Sequence, residues 1–177
     1  MRFKEFFYKE FILENNGSYD DEYLKLAQEP DDHINELQRM VEKAARVRGY
    51  DVRAFHQTDA DFTVFDLSRT DSASGGNTTF RRKAAFFTID GPKIRKIMAM
   101  LKDKGYNGAS YGTIEMNVFL KLNPETDYIR NRAEDGTEVA ITDPTRIKSS
   151  DPITYDDTGK IIPLSQRFDS SKDDIRY

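Results

Sequence analysis

Apolar residues recur along this chain with two different periods, and the first change comes near residue 50. Before that point the spacing is helical. "RFKEFFYKEFILEN" carries Phe3, Phe6, Phe7, Phe11 and Leu13 close to one face, and "NNGS" predicts its stop. A short helix, "DDEYLKLAQ", is predicted to end before Pro30. The third segment, "DDHINELQRMVEKAARVRG", places Ile34, Leu37, Val41, Ala44 and Val47 on one stripe. Asp31 or Asp32 is placed to cap its start, and Gly49 to end it in a left-handed conformation. His33 falls in the first turn of that helix and reads as a surface residue.

Beyond Gly49 the period shortens to two. "YDVRAFH" alternates as a strand, with Val52, Ala54 and His56 on one face and Arg53 and Phe55 on the other. "RTDSASGGNTT" (69–79) reads as a loop, "KAAFFTID" as a short strand, and "GPKIRKIMAMLKDKG" as a helix opened by Pro92 and closed by Gly105. "NVFLKLNP" and "TEVAIT" are further strands, each halted at a proline-containing turn. "PITYDDTGKIIPL" predicts a hairpin around Asp-Asp-Thr-Gly, and "SQRFDSSKDDIRY" a polar tail. A helical start with a strand-rich remainder argues for an α+β fold rather than a doubly wound sheet. The expected organisation is a helical region at 1–49 packed on a domain at 50–164, with the tail at 165–177.

Composition narrows the chemistry. The sequence has no cysteine, which removes disulfides, thiolate nucleophiles and zinc–thiolate sites; its two histidines are far apart, so no metal is expected. A net charge of −4 gives no general pull toward nucleic acid or anionic membrane. No apolar run reaches the roughly 18 residues of a membrane span, so a soluble cytoplasmic protein is expected. "SASGGN" lacks the Gly-Lys-Ser/Thr of a Walker loop, no GxGxxG is present, and no serine nucleophile elbow occurs. "RRK" (81–83) is a short basic run that solvent can satisfy. By its chemistry alone, His56 fits a satisfied core histidine as well as a ligand-binding one, since a half-buried ring must satisfy its nitrogens either way. Glu138, at the start of "EVAIT", reads most simply as a solvated strand end.

The order of these residues adds what each lacks. "FHQT" (His56, Gln57, Thr58), "AAFFT" (Phe86, Phe87) and "TEVAITDPTRI" (Glu138, Asp143, Arg146, Ile147) lie on three separate strands. That arrangement resembles the ADP-ribosyltransferase family, in its diphtheria-toxin-like branch with a His, Tyr, Glu triad. "GSYDDEYLKLAQ", "FTVFD" and the long ending "RIKSSDPITYDDTGKIIPLSQRFDSSKDDIRY" are similar to ADP-ribosyltransferase modules of phage and mobile-element polyvalent proteins. The resemblance implies a split β-sheet with an NAD cleft. In it His56 would hold the adenosine-side ribose, and the backbone at His56–Gln57 the nicotinamide amide, with Thr58 alongside. Phe86, followed by Phe87, would stack on nicotinamide, and Glu138 would bind the nicotinamide-ribose 2′-hydroxyl. The loop 69–79 would flank the cleft. NAD would be co-substrate, nicotinamide the leaving group, and the acceptor a protein of the bacterial host, or else a nucleic acid; a monomer is expected.

Three positions depart from the family pattern. Gln57 stands where glycine is usual, Phe86 where tyrosine is, and Arg146 where glutamine is. Gln57 gives up positive-φ freedom, Phe86 keeps a stacking face without a hydroxyl, and Arg146 brings a cation that can pair with Glu138 if it faces the cleft. An active mono-ADP-ribosyltransferase is therefore expected, with a degenerate NAD- or partner-binding module as the alternative. A structural or particle protein that uses its first helices as an interface is a third, weaker reading.

Overall fold

The computed structural model describes residues 16–58, 60–68, 84–89, 114–132 and 136–177. The predicted first helix, the loop 69–79, the "RRK" run and the helix 91–105 lie outside the described residues. What is described is α+β: two helices and an antiparallel sheet.

Helix α1 (Asn16–Leu26) begins inside "NNGS" and α2 (Pro30–Val47) follows it. Helix α2 starts earlier than its aspartates suggest. Pro30 occupies the first turn, where its missing N–H costs nothing, and Asp31 and Asp32 lie within that turn, favourable to the helix dipole. No side chain caps it. Its end follows the sequence reading. Gly49 adopts φ +84°, and the amides of Gly49 and Tyr50 bond back to Arg46 O and Ala45 O (3.1 and 2.9 Å), a Schellman closure. The buried stripe is Leu37, Met40, Val41, Ala44 and Ala45, whereas Ile34 is 43% exposed.

The strands are β1 (Val52–Thr58), β2 (Ala85–Ile89), β3 (Ile114–Leu120), β4 (Tyr128–Arg132), β5 (Gly136–Ile141) and β6 (Ile147–Ser149). They form one sheet in the order β4-β5-β2-β1-β3-β6, with antiparallel pairing throughout. Pairing between β1 and β3 runs from Val52↔Leu120 to Thr58↔Ile114 without a break. Among the described residues, pairing between β1 and β2 covers Ala54↔Ile89 and Phe55↔Thr88 and stops short of His56.

Cross-strand partners share a face, so the register divides the core in two. On one face Ala54, Phe87, Val118, Leu120, Val139 and Ile141 pack with Phe65 and Ile175. On the other, Phe119 meets the helices through Leu37, Val41, Ala44, Tyr50, Leu164 and Phe168.

The last thirteen residues are not a solvated tail. Phe168 and Ile175 are in the core, and Arg167 is 1% exposed, donating to the carbonyls of Ser149 and Asp151 (3.1 and 2.9 Å) and to Tyr23 Oη (3.3 Å). Lys148, also 1% exposed, grips the carbonyls of Lys172 and Asp174 (2.7 and 3.2 Å). Ile175 donates to Thr63 O and accepts from the Ser149 amide, joining the residues after β1 to β6. Polar residues pattern this segment because buried cations, not an apolar run, hold it down. The Asp-Asp-Thr-Gly turn forms as expected, with Gly159 at φ +80° and a Tyr155↔Ile161 bridge.

Candidate functional site

The three strands that carry His56, Phe86 and Glu138 are consecutive across the sheet, as β1, β2 and β5. Register decides which side chains they bring together. Thr88 pairs with both Phe55 and Glu138, and Phe86 with Ala140. Phe86 and Glu138 therefore share a face on neighbouring strands, as diagonal partners of order 7–8 Å apart. Alternation along β1 puts Gln57 on that face too, and His56 and Thr58 on the opposite one. The predicted residues thus fall into two groups, Gln57–Phe86–Glu138 and His56–Thr58–Phe87.

His56 sits where the β1–β2 ladder stops. The ladder's next bond is replaced by the side chain, whose Nδ1 lies 2.8 Å from Phe86 O. A carbonyl only accepts, so Nδ1 carries the hydrogen and Nε2 is left as the acceptor nitrogen. Around the ring stand Phe65, Phe87 and Phe62, with centroids at 5.2, 5.6 and 6.3 Å. Burial among these rings lowers the imidazole pKa from its ordinary value, and the bond to Phe86 opposes that shift only in part. His56 is therefore a neutral hydrogen-bond acceptor at pH 7. Phe62 and Phe65 were not singled out as site residues in the sequence. Their signal is the "FTVF" run, which returns two aromatic rings to the histidine just after the strand ends. Thr58 is turned to local use, its Oγ1 accepting from the Ala60 amide (3.1 Å).

Arg146 is committed away from Glu138. It lies in the 3-10 turn Pro144–Arg146, and its Nη1 and Nη2 each meet an oxygen of the fully buried Asp127 carboxylate at 2.6 Å. Nη1 also reaches Lys121 O (3.4 Å), and Nε lies 3.5 Å from Asp143. This fork ties the residues before β4 to those between β5 and β6. Asp127 carried no sequence signal, because its partner is nineteen residues away.

His33 lies 4.0 Å from Glu36 one turn on, with its side chain 37% exposed. Among the described residues no cluster of three histidine or carboxylate side chains can hold a metal ion, and no helix is long and apolar enough to cross a membrane. The chain matches no protein-family model, and no curated protein or solved structure resembles it at a significant level.

Proposed function

We propose that this chain is an NAD-dependent mono-ADP-ribosyltransferase, built on an ADP-ribosyltransferase-like split sheet, that moves ADP-ribose from NAD⁺ to a protein acceptor with release of nicotinamide. The observation that carries the reading is the shared face of Phe86 and Glu138 beside the end of the β1–β2 ladder, which stops after Phe55↔Thr88. A seam that stops pairing leaves the main chain at Gln57 available to a ligand amide. An aromatic ring one strand over suits a cationic pyridinium.

The chemistry asked of Glu138 is modest and specific. As the C–N bond to nicotinamide breaks, the bonding pair leaves with the neutral ring and positive charge spreads over the ribose C1′ and ring oxygen. A carboxylate fixed at the 2′-hydroxyl stabilises that charge more than it stabilises the ground state. An acceptor nucleophile then attacks C1′ and loses its proton. Neutral His56, with Nε2 as acceptor, suits a ribose hydroxyl donor.

A second reading, a degenerate module that binds NAD or a partner without turnover, is favoured by one observation: His56 faces the opposite side of the sheet from Glu138. The two are separated by measuring nicotinamide release from NAD⁺ with wild type and Glu138→Gln, alongside calorimetric NAD binding. The transferase reading expects binding by both and release lowered by about 100-fold or more in the variant, the range for removing one transition-state electrostatic contact. Binding with no release by either protein, in the presence of a protein extract as acceptor source, selects the degenerate module. Absence of NAD binding removes the transferase and leaves only a module that binds a partner without NAD.

A further inference from the structure

A cleft of about 360 Å³ lies beside the strand that neighbours β1. Its apolar wall is Phe62, Ile114, Met116 and Tyr155, and two of these are left largely in water, Tyr155 at 48% and Ile114 at 37% exposure. Carboxylates stand among them: Asp61 and Asp151 are exposed, and Glu115 lines the same cleft. The one cation lining it among the described residues, Arg176, is already committed, to Asp174 at 2.7 Å, Asp157 at 2.8 Å and the carbonyl of Tyr155 at 3.2 Å. Its charge is spent on carboxylates outside the cleft, and the buried Arg167 offsets part of the Asp151 charge, so among the described residues the exposed Asp61 leads a field that is still negative.

Position gives the cleft its meaning. His56, Gln57 and Thr58 pair across the sheet with Met116, Glu115 and Ile114, so the cleft begins about one strand spacing, roughly 5 Å, from the residues assigned to NAD. Phe62 belongs to both, with its ring 6.3 Å from that of His56. Ile114 and Met116 share the face of His56, so an occupant of the cleft would lie next to the part of a dinucleotide that His56 holds.

We propose that this cleft docks an arginine- or lysine-bearing extended segment of the protein acceptor, with arginine favoured. A guanidinium can stack on Tyr155 or Phe62 while its fork meets a carboxylate, and its aliphatic stem suits the Ile114–Met116 wall. The same negative field repels nucleic acid, which separates the two acceptor classes left open by the sequence. The assignment of the segment to an acceptor rests on the transferase reading; the docking itself does not.

The test uses the full chain labelled with nitrogen-15 and four capped pentapeptides, Gly-Ala-X-Ala-Gly with X as Arg, Lys, Gln or Glu. The Arg peptide is expected to move the amide resonances of Asp61, Phe62, Met116 and Tyr155 most, the Lys peptide less, and the other two not at all. Asp61→Asn should weaken the Arg peptide by about threefold or more, and added salt should do the same. Tyr155→Ala, which changes no carboxylate, should weaken Arg more than Lys. Equal shifts with the Glu peptide, shifts with an oligothymidine, or no shifts with the Arg peptide would each overturn the proposal. NAD binding and nicotinamide release are measured on the same samples. Asp61→Asn should leave both unchanged while raising the KM for transfer to polyarginine. If the Arg peptide binds and NAD does not, the transferase reading fails and the docking cleft stands. If NAD is cleaved and the Arg peptide is silent, the cleft fails and the transferase reading stands.

Discussion

Strand β1 has a neighbour on each side and is held very differently by the two. Toward β3 it pairs along its whole length, and Phe119 in that partner anchors the helices. Toward β2 the ladder stops after Phe55↔Thr88, and a histidine side chain takes over. A continuous ladder satisfies every backbone group internally and leaves nothing for a ligand. A ladder that stops leaves donors and acceptors to be met by side chains or by a bound molecule. The sheet is firm where the helices lean on it and yielding where the candidate site lies.

The strongest way to break this contrast is to weaken the firm side. Phe119→Ala should cost about 3–5 kcal/mol of unfolding free energy in urea titration, as expected for emptying a buried phenylalanine site. A loss below about 1 kcal/mol would mean that the β3 side is not the anchor. Next comes the Arg146–Asp127 fork. Asp127→Ala strands the Arg146 guanidinium, which is only 12% exposed, and should cost about 3 kcal/mol by the same measurement. Were the fork merely a surface pair, the loss would stay under about 1 kcal/mol.

Smaller effects sharpen the seam itself. His56→Phe keeps an aromatic body but deletes the bond to Phe86 O, and should cost roughly 1 kcal/mol. Hydrogen exchange should quicken in β2 and stay unchanged in β3; uniform quickening would argue against a local clasp. The least effect is that of pH. The folded-state pKa of His56 lies below the ordinary 6.5. The folded protein therefore takes up fewer protons than the unfolded chain as pH falls through that value. Stability is complete above about pH 7 and declines below 6.5, and His56→Phe should remove that part of the decline.

Lys148 gives the alkaline counterpart on the firm side. Burial pushes its pKa down from 10.5 to about 8, so stability should rise as pH climbs from about 8 toward 10. Above that, Tyr19 and Tyr50, both pushed up to about 12 by burial, lose protons more readily in the unfolded chain and turn the curve down. Lys148→Met should flatten the rise in thermal-melt series; an unaltered rise would assign it to another group.

Much of the framework is legible in the sequence because local signals and burial coincide there. Helix α2 shows its period and its glycine stop. The alternation of β1 predicts which face His56 takes, and β2 and β5 are short apolar runs between turn residues. Strand β4 has no sequence signal, because "YIRNR" lacks the apolar alternation that marks β1. Strand β6 is not legible in the sequence because Lys148, a polar residue by type, is buried at its centre by two carbonyls from the end of the chain. For the same reason the segment from Ser165 onward reads as a tail: the residues that bury it, Arg167 among them, are charged. At the site, sequence order brings out the strand-borne residues but not the division of their faces. That depends on the register between β1, β2 and β5, which no single segment contains. Arg146 shows the limit most sharply, since Asp127, and not Glu138, receives its charge.

The long-range bonds of the helices set an order in time. Asp20 accepts from the Ser165 amide, Tyr23 bonds to Pro152 O, Gln38 to Ser150 O, Arg48 to Ser165 O and Tyr50 to Thr145 O. During synthesis the helices emerge first, yet every one of these partners is made more than ninety residues later. Until then the apolar stripe of α2 has nothing from residues 145–168 to close over it. Such distant pairing slows folding and leaves the nascent helices as targets for holding chaperones. The helices should therefore complete their packing only once residues 145–168 have been made, and yield in cells should depend more on chaperone supply than on the stability finally reached.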